Sequence, residues 1–438
     1  MKKILLVVIA VSIVITSVFT GCGSGGEGPN TKDKITKLDI WWDKSDIGKD
    51  VAYDAWWSFK DACKEKGSEL YEKYGDIIDG ISFDPLSGSS GDKTALESLI
   101  LAGLAPAIVK MDHVYISSLG ADSNIYDLAD PRFNANDIKD LFIDSCWQAS
   151  ISGAAVYGLP FDANTVIWGA RKSYLSDAGV SLPQTWEQLL DYGSKMKAKD
   201  FDRSVYALPC GTATDAGKMN WTVFVWLFYV WRLGGNVLNS DNTEAIFNDP
   251  ETGVKAFKMM QELREQGLVS TEKYEEFDAV ISDMGTWRLD GFTDEMEYST
   301  MPVLKENVPG YSGLGLYTMS VTKIAPNPDL AYDFMKFFAT GKNDDGEFFQ
   351  FDYCKKTNLI PSLKEAADKQ RSDDENKNDF WNTCVEQLYT TRHRPMVSQW
   401  LDIEEELFKA INLVLKEGKD PVETLNTSKK FVDSLLKK

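Results

Sequence analysis

Residues 157–175 read YGLPFDANTVIWGARKSYL, and the fold turns on what this stretch does. Its middle, Thr165 to Trp168, has the β-branched and aromatic composition of a strand. It opens on Gly158 and Pro160, residues that punctuate a chain rather than continue a sheet. The combination predicts a crossing between domains.

Both flanks read as α/β. On the N-terminal side, KITKLDIWWD (34–43) is a short strand that delivers Trp41, Trp42 and Asp43 at its C-terminal end. An amphipathic helix follows, then a strand near 77–83, the helix DKTALESLILAGL and the strand AIVKMD ending at Asp112. Such βαβα alternation marks a mostly parallel sheet covered by helices, with ligands outside the carboxyl ends of its strands, where Trp41, Trp42, Asp43 and Asp112 would gather. On the C-terminal side, PQTWEQLLDYGSKMKAKD and the strongly apolar NWTVFVWLFYVWRLGGN read as helices, the second ending at Gly234 and Gly235. In NPDLAYDFMKFFAT, Asn327 caps the helix and Pro328 takes its first position, while Leu330, Phe334, Phe337 and Phe338 form one apolar face.

The first thirty residues read as an export signal. Lys2 and Lys3 precede an apolar run from Ile4 to Phe19, shorter than the about 20 residues of a spanning helix, and small residues follow. FTGC resembles the bacterial lipobox, although Phe19 stands where an aliphatic residue is commoner. That resemblance implies a leader over 1–21 and lipid modification of Cys22; an uncleaved signal anchor and an ordinary secreted protein are the alternatives. Residues 22–33 are rich in Gly and Ser, a coil reaching roughly 20 Å.

The body fits a soluble globular protein of about two or three domains. Of its 438 residues, 47 are Lys or Arg and 67 Asp or Glu, a net charge of −20 that argues against a nucleic-acid partner. Five cysteines lie beyond Cys22 (Cys63, Cys146, Cys210, Cys354, Cys384), an odd number without a CxxC pair, so they cannot all pair internally. Cys63 shares a helical face with Val51, Ala55 and Phe59 and reads as a small core hydrophobe. The two histidines, His113 and His393, have no second histidine at metal-ligand spacing, which argues against zinc and against Ser-His-Asp chemistry. No metal or cofactor is expected.

The order of LILAGLAPAIVKMD, GLPFDANTVIWGARKSYLSDAGVSLPQTWEQLL, LGGN before AIFNDPETGVKAFKMM, GTWRLDGF, GYSGLGLYTMSV before NPDLAYDFMKFFAT, TNLIPSLKEA and LKEGKDPVETL resembles the extracellular solute-binding proteins of carbohydrate ABC importers. The maltodextrin-binding protein is the best-known relative. Ala107, where the family usually has Asp, and WGARK in place of YNK depart from the pattern. The resemblance implies an α/β, two-lobe periplasmic-binding-protein fold with a ligand cleft between lobes joined by hinge crossings. The crossings would begin at Tyr157 and recur near 298–302 and 356–359. Lobe one would then combine 34–159 with 299–357, and lobe two 160–298 with 358–438.

A sugar has apolar C–H faces and a rim of hydroxyls, so its pocket needs flat aromatic platforms and charged or amide groups that grip hydroxyl pairs. Thirteen tryptophans are present, and Trp41, Trp42, Trp221, Trp287 and Trp400 stand near turns or element ends. Trp287 in GTWR matches, by the resemblance, a stacking position of lobe two, and Trp400 a C-terminal one. Asp43, Asp112 and Asn164 are the hydroxyl-gripping candidates, with His113 a rim residue beside Asp112; Trp226 and Trp231 read as core. Each candidate has a plain packing role as its alternative.

The resemblance implies capture of a sugar or oligosaccharide by lobe closure and delivery to membrane ABC permease subunits. The protein would be a monomer, lipid-anchored at the extracytoplasmic face of a bacterial cell membrane, and no enzyme. Two rivals remain open at this point: a lipid-anchored glycan-active enzyme using two carboxylates, and a binding lipoprotein that senses sugar.

Overall fold

The computed structural model describes residues 36–42, 47–87, 93–199, 206–207, 216–270, 281–286, 296–372 and 378–437. The leader, the tether, Cys22, Asp43, Cys210 and Trp287 lie outside the described residues.

The first lobe grows from the parallel strands β1 (Lys37–Trp42), β2 (Ser82–Ser87) and β3 (Ile108–Asp112), with β1 in the centre. Side chains alternate along a strand. Leu38, Ile40 and Trp42 therefore enter one core with the Lys49–Ala62 and Pro328–Thr340 helices, while Trp41 faces Leu96, Val109 and Met111 on the other side. The second of these helices forms as its sequence predicts: the Asn327 side chain accepts from Leu330 N, Pro328 opens the first turn, and Leu330, Phe334 and Phe338 are buried. Cys63 is buried in this core with Val51, Ala55 and Phe59, and its thiol is pushed up to about 12 by burial. Cys146, Cys354 and Cys384 are likewise buried, and none is paired among the described residues.

A hairpin of β4 (Ile151–Ser152) and β5 (Ala155–Val156) leads into the long strand β6 (Leu159–Arg171). Residues 159–165 of β6 pair with β11 (Ser312–Val321), which pairs in turn with β3. Residues 166–171 pair instead with β9 (Ile281–Gly285) and, over 168–171, β10 (Met296–Ser299). One strand thus belongs to the first lobe's sheet at its start and to the second lobe's at its end. Pro160, which has no N–H to offer a ladder, lies beside a register shift between Tyr317 and Thr318. The second sheet continues through β7 (Tyr206–Ala207) and β8 (Val269–Ser270), both parallel. β12 (Ile360–Pro361) joins β6 at Asp162 and Ala163, and β13 (Thr391–Arg392) joins the start of β11.

The second core surrounds the apolar Ala216–Arg232 helix, where Trp226 and Trp231 are buried with Phe257 and Leu407. That helix stops where Gly234 takes a positive φ of 87°, a conformation that glycine adopts at little cost. Met301 packs into this second core and Val303 bridges to Thr185, after which β11 pairs with β3. A smaller core, with Ala163, Ile167, Leu314 and Leu316 against Phe380, Trp381 and Cys384, covers the shared stretch of β6 and β11. Among the described residues no helix is long and apolar enough to cross a membrane.

Candidate functional site

The strand ends and the apolar helix meet around a cavity of about 530 Å³. Lys110 and Asp112 of β3, Asn164 of β6, and Gly315 and Tyr317 of β11 line one side of it, with Tyr353 from the Phe349–Thr357 helix. Asn220, Trp221 and Phe224, from the first turns of the Ala216–Arg232 helix, and Arg394 line the other.

Period-two alternation puts Lys110 and Asp112 on the same face of β3. The Lys110 ammonium is 1% exposed and pairs with Asp162 Oδ2 at 2.8 Å. It donates to Tyr353 Oη at 2.8 Å and sits 4.8, 4.7 and 5.2 Å from the ring centroids of Tyr317, Tyr353 and Trp42. These rings and the carboxylate replace the water that a buried charge gives up.

Asp112 Oδ1 accepts from Val114 N at 3.2 Å, from His113 Nδ1 at 3.0 Å and from Arg394 Nη2 at 3.2 Å. Burial raises its pKa, but the Arg394 charge and the His113 hydrogen bond outweigh burial and hold the carboxyl well below the usual carboxylate range. It is therefore an anion that accepts hydrogen bonds and donates none. Arg394 lies over the Phe224 ring, its Cζ 5.1 Å from the centroid, so the Asp112 pair joins the two walls of the cavity. Burial pushes His113 down and keeps it neutral, and its Nδ1–H is shared between Asp112 Oδ1 and Leu316 O.

The alternation in GYSGLGLY has a function in packing. Gly313, Gly315 and Tyr317 share one face of β11, and the two glycines leave room for cavity-wall groups. A Cβ on Gly313 would stand 2.0 Å from the Phe224 ring, and one on Gly315 would stand 2.0 Å from Asn164 Oδ1. Gly315→Ala is accordingly expected to push Asn164 out of place, weakening ligand binding about tenfold or more, the value of at least one hydrogen bond. Calorimetric titration beside a melting curve checks this, and unchanged affinity would show that Asn164 does not contribute.

Of the residues singled out by sequence, Asp112, Asn164 and Trp221 come together at the cavity. Four others do not line it. Trp42 is wholly buried against Phe161, Phe338 and Tyr353, because its side of β1 faces the first core. Trp41 points to the opposite packed face, beside Met111 and Met396. His113 is buried behind Asp112, and Trp400 is buried in the second core at the first turn of its helix. Sequence reasoning missed Lys110, Asn220, Phe224, Tyr317, Tyr353 and Arg394. Lys110 had a readable signal, a lysine inside an otherwise buried strand; Arg394 in RHRP had none.

Residues 69–379 match the family described as bacterial extracellular solute-binding protein. No curated protein matches the chain. Among solved structures it is similar to a cyclic alpha-maltosyl-1,6-maltose binding protein from Arthrobacter globiformis, with TM-score 0.74 and 20% identity over 92% of this chain and 99% of that one. The GacH receptor of Streptomyces glaucescens GLA.O, also solved with acarbose, gives TM-score 0.70 and 15% identity over 92% and 98%. The sugar-binding protein MalE from Xanthomonas citri gives 0.70 and 16% over 92% and 97%. At such identities the likeness is one of fold.

Proposed function

Because this chain belongs to the bacterial extracellular solute-binding proteins, we propose that its cavity captures a sugar or oligosaccharide and that lobe closure presents the complex to an ABC permease. One observation carries the ligand class: flat aromatic side chains (Trp221, Phe224, Tyr317, Tyr353) line the same cavity as Asp112, Asn164 and Asn220. Rings offer faces to the C–H side of a sugar, and the carboxylate and amides offer partners to its hydroxyls. The sugar- and acarbose-binding relatives of the same fold support it.

Asp112, Asn164 and Trp221 then touch the ligand, joined by Asp43, from its place at a strand's C-terminal end, and by Trp287, on the strength of the sequence resemblance. Trp41, Trp42, His113 and Trp400 act from behind, by holding the walls. The lobes turn about β6, which passes from the first sheet to the second between Thr165 and Val166, and a ligand that contacts both walls favours the closed form. The chain is exported, cleaved before Cys22, lipid-anchored there at the extracytoplasmic face of the cell membrane, and works as a monomer.

A thermal-shift screen of the mature protein against mono- and oligosaccharides tests the reading. A ligand at 100 times its dissociation constant adds about 2.7 kcal/mol of apparent stability. No stabilisation by any carbohydrate would overturn it. Trp221→Ala is expected to weaken the best ligand at least tenfold, since truncating a stacked aromatic at a binding hot spot costs about 2 kcal/mol. No bound sugar should be turned over. Among the described residues the carboxylate lining the cavity is Asp112, and a carboxyl held deprotonated by Arg394 is a poor general acid. Recovery of cleaved sugar from pure protein would contradict that.

A further inference from the structure

The Trp400–Leu415 helix buries Trp400, Ile403, Leu407, Phe408, Ile411 and Val414 in the second core, and on this apolar stripe stands one carboxyl, Glu404, 2% exposed. Glu404 Oε1 accepts a hydrogen bond of 3.1 Å from Nδ2 of Asn220, whose side chain lines the cavity. The charged groups that face Glu404 are Arg394, from the segment after β13, and Asp112, from the end of β3. Arg394 directs Nη2 to Asp112, while its buried Nε and Nη1 have no hydrogen-bond partner among the described residues. An ionised carboxyl at an apolar helix position, without a direct bond to the guanidinium beside it, is unfavourable for folding alone and points to a role in the site.

We propose that Glu404 is a positioning residue that fixes which end of the Asn220 amide meets the ligand, and thereby makes capture depend on pH. The inference rests on the sugar-binding reading given above. Ionised, Glu404 can only accept, so Asn220 must turn Nδ2 toward it and present Oδ1 toward the cavity. Protonated, Glu404 can donate to Asn220 Oδ1, and the amide then turns its N–H groups outward. The ligand therefore meets an acceptor in one state and a donor in the other. The Asn220 bond to the carboxylate is charge-assisted and the better defined of the two, so the ionised form binds more tightly. Burial, the leading cause, pushes the Glu404 carboxyl up to about 7, which places the change near neutral pH.

Two measurements on the mature protein test this, with Glu404→Gln as the comparison, since the glutamine Oε1 accepts from Asn220 at every pH. The first needs no ligand. A carboxyl whose pKa is raised on folding binds protons more readily in the native state. Stability relative to Glu404→Gln should therefore fall as pH rises from the ordinary Glu range through about 7, and level off above it. A melting-temperature difference that is flat from pH 4 to 8 would overturn the proposal. The second is calorimetric titration of the best carbohydrate from the screen at pH 6 and pH 8. Wild type should bind about three- to tenfold more tightly at pH 8, the value of one hydrogen bond, and release protons on binding. Glu404→Gln should keep the pH 8 affinity at both values and release none. Equal pH dependence in both proteins would overturn the proposal. If no carbohydrate binds at any pH, the ligand class falls, and the ligand-free melting series still decides for or against the titration of Glu404.

Discussion

Trp42→Ala is expected to lower the stability of the first lobe by about 3–5 kcal/mol, the usual cost of truncating a packed aromatic. The indole is wholly buried, with Phe161, Phe338 and Tyr353 centroids at 5.9, 5.7 and 5.3 Å. Its removal would leave a cavity bounded on several sides by rings that cannot all close inward. The melting midpoint should fall by roughly 10 °C, taking about 2–4 °C per kcal/mol for a lobe of this size. Sugar affinity should fall less, and through Lys110, whose ammonium lies 5.2 Å from the Trp42 ring. Differential scanning calorimetry with and without ligand separates the two effects. A normal melting curve with lost affinity would mean that Trp42 reaches the ligand directly.

This expectation marks the limit of what the sequence discloses. The strand KLDIWW is legible, and so is its position at the ligand end of a parallel sheet. Which of two adjacent tryptophans faces which layer is set by register, and a one-residue slip exchanges the faces. Here both faces of β1 are covered by packed layers, so neither indole is left for the cavity. Asp112 and Asn164 are more accessible to inference because a short polar side chain, at the end of a buried strand for Asp112 and within the crossing strand for Asn164, has few reasons to be there except a site or a cap. Trp400 misled for the opposite reason: a tryptophan opening a helix resembles a rim residue until the neighbouring helices close over it. Arg394 and Glu404 are brought to Asp112 and Asn220 from more than 170 positions away in the chain by tertiary packing alone. No local pattern announces such a meeting. The strand β6 is readable from the composition of Thr165 to Trp168, but Pro160, read as punctuation, lies inside it opposite Thr318, beside a register shift that accommodates the missing N–H.

Lys110→Met should be as damaging as Trp42→Ala, for an electrostatic reason. Lys110 and Asp162 form an ion pair of 2.8 Å with side chains 1% and 0% exposed. Removing one member of a buried pair takes away the charge that offsets the desolvation of the other, and typically costs about 3–5 kcal/mol. Replacing both members by apolar side chains of similar size is often close to neutral, because the desolvation penalty disappears along with the attraction. Lys110→Met combined with Asp162→Leu should therefore recover most of the stability lost in the single variant, and the difference between the double variant's effect and the sum of the two single effects measures their coupling. Stability and binding ought then to part company. The double variant would fold, but the cavity would lose the ammonium that Tyr317 and Tyr353 hold at its wall, at 4.8 and 4.7 Å from their ring centroids. The two rings would no longer be fixed by it, and sugar affinity should stay about tenfold or more below the parent even with the melting point restored. If the double variant recovered both stability and affinity, Lys110 would be a device of folding alone. If it recovered neither, the pair would be contributing through packing that methionine and leucine cannot reproduce.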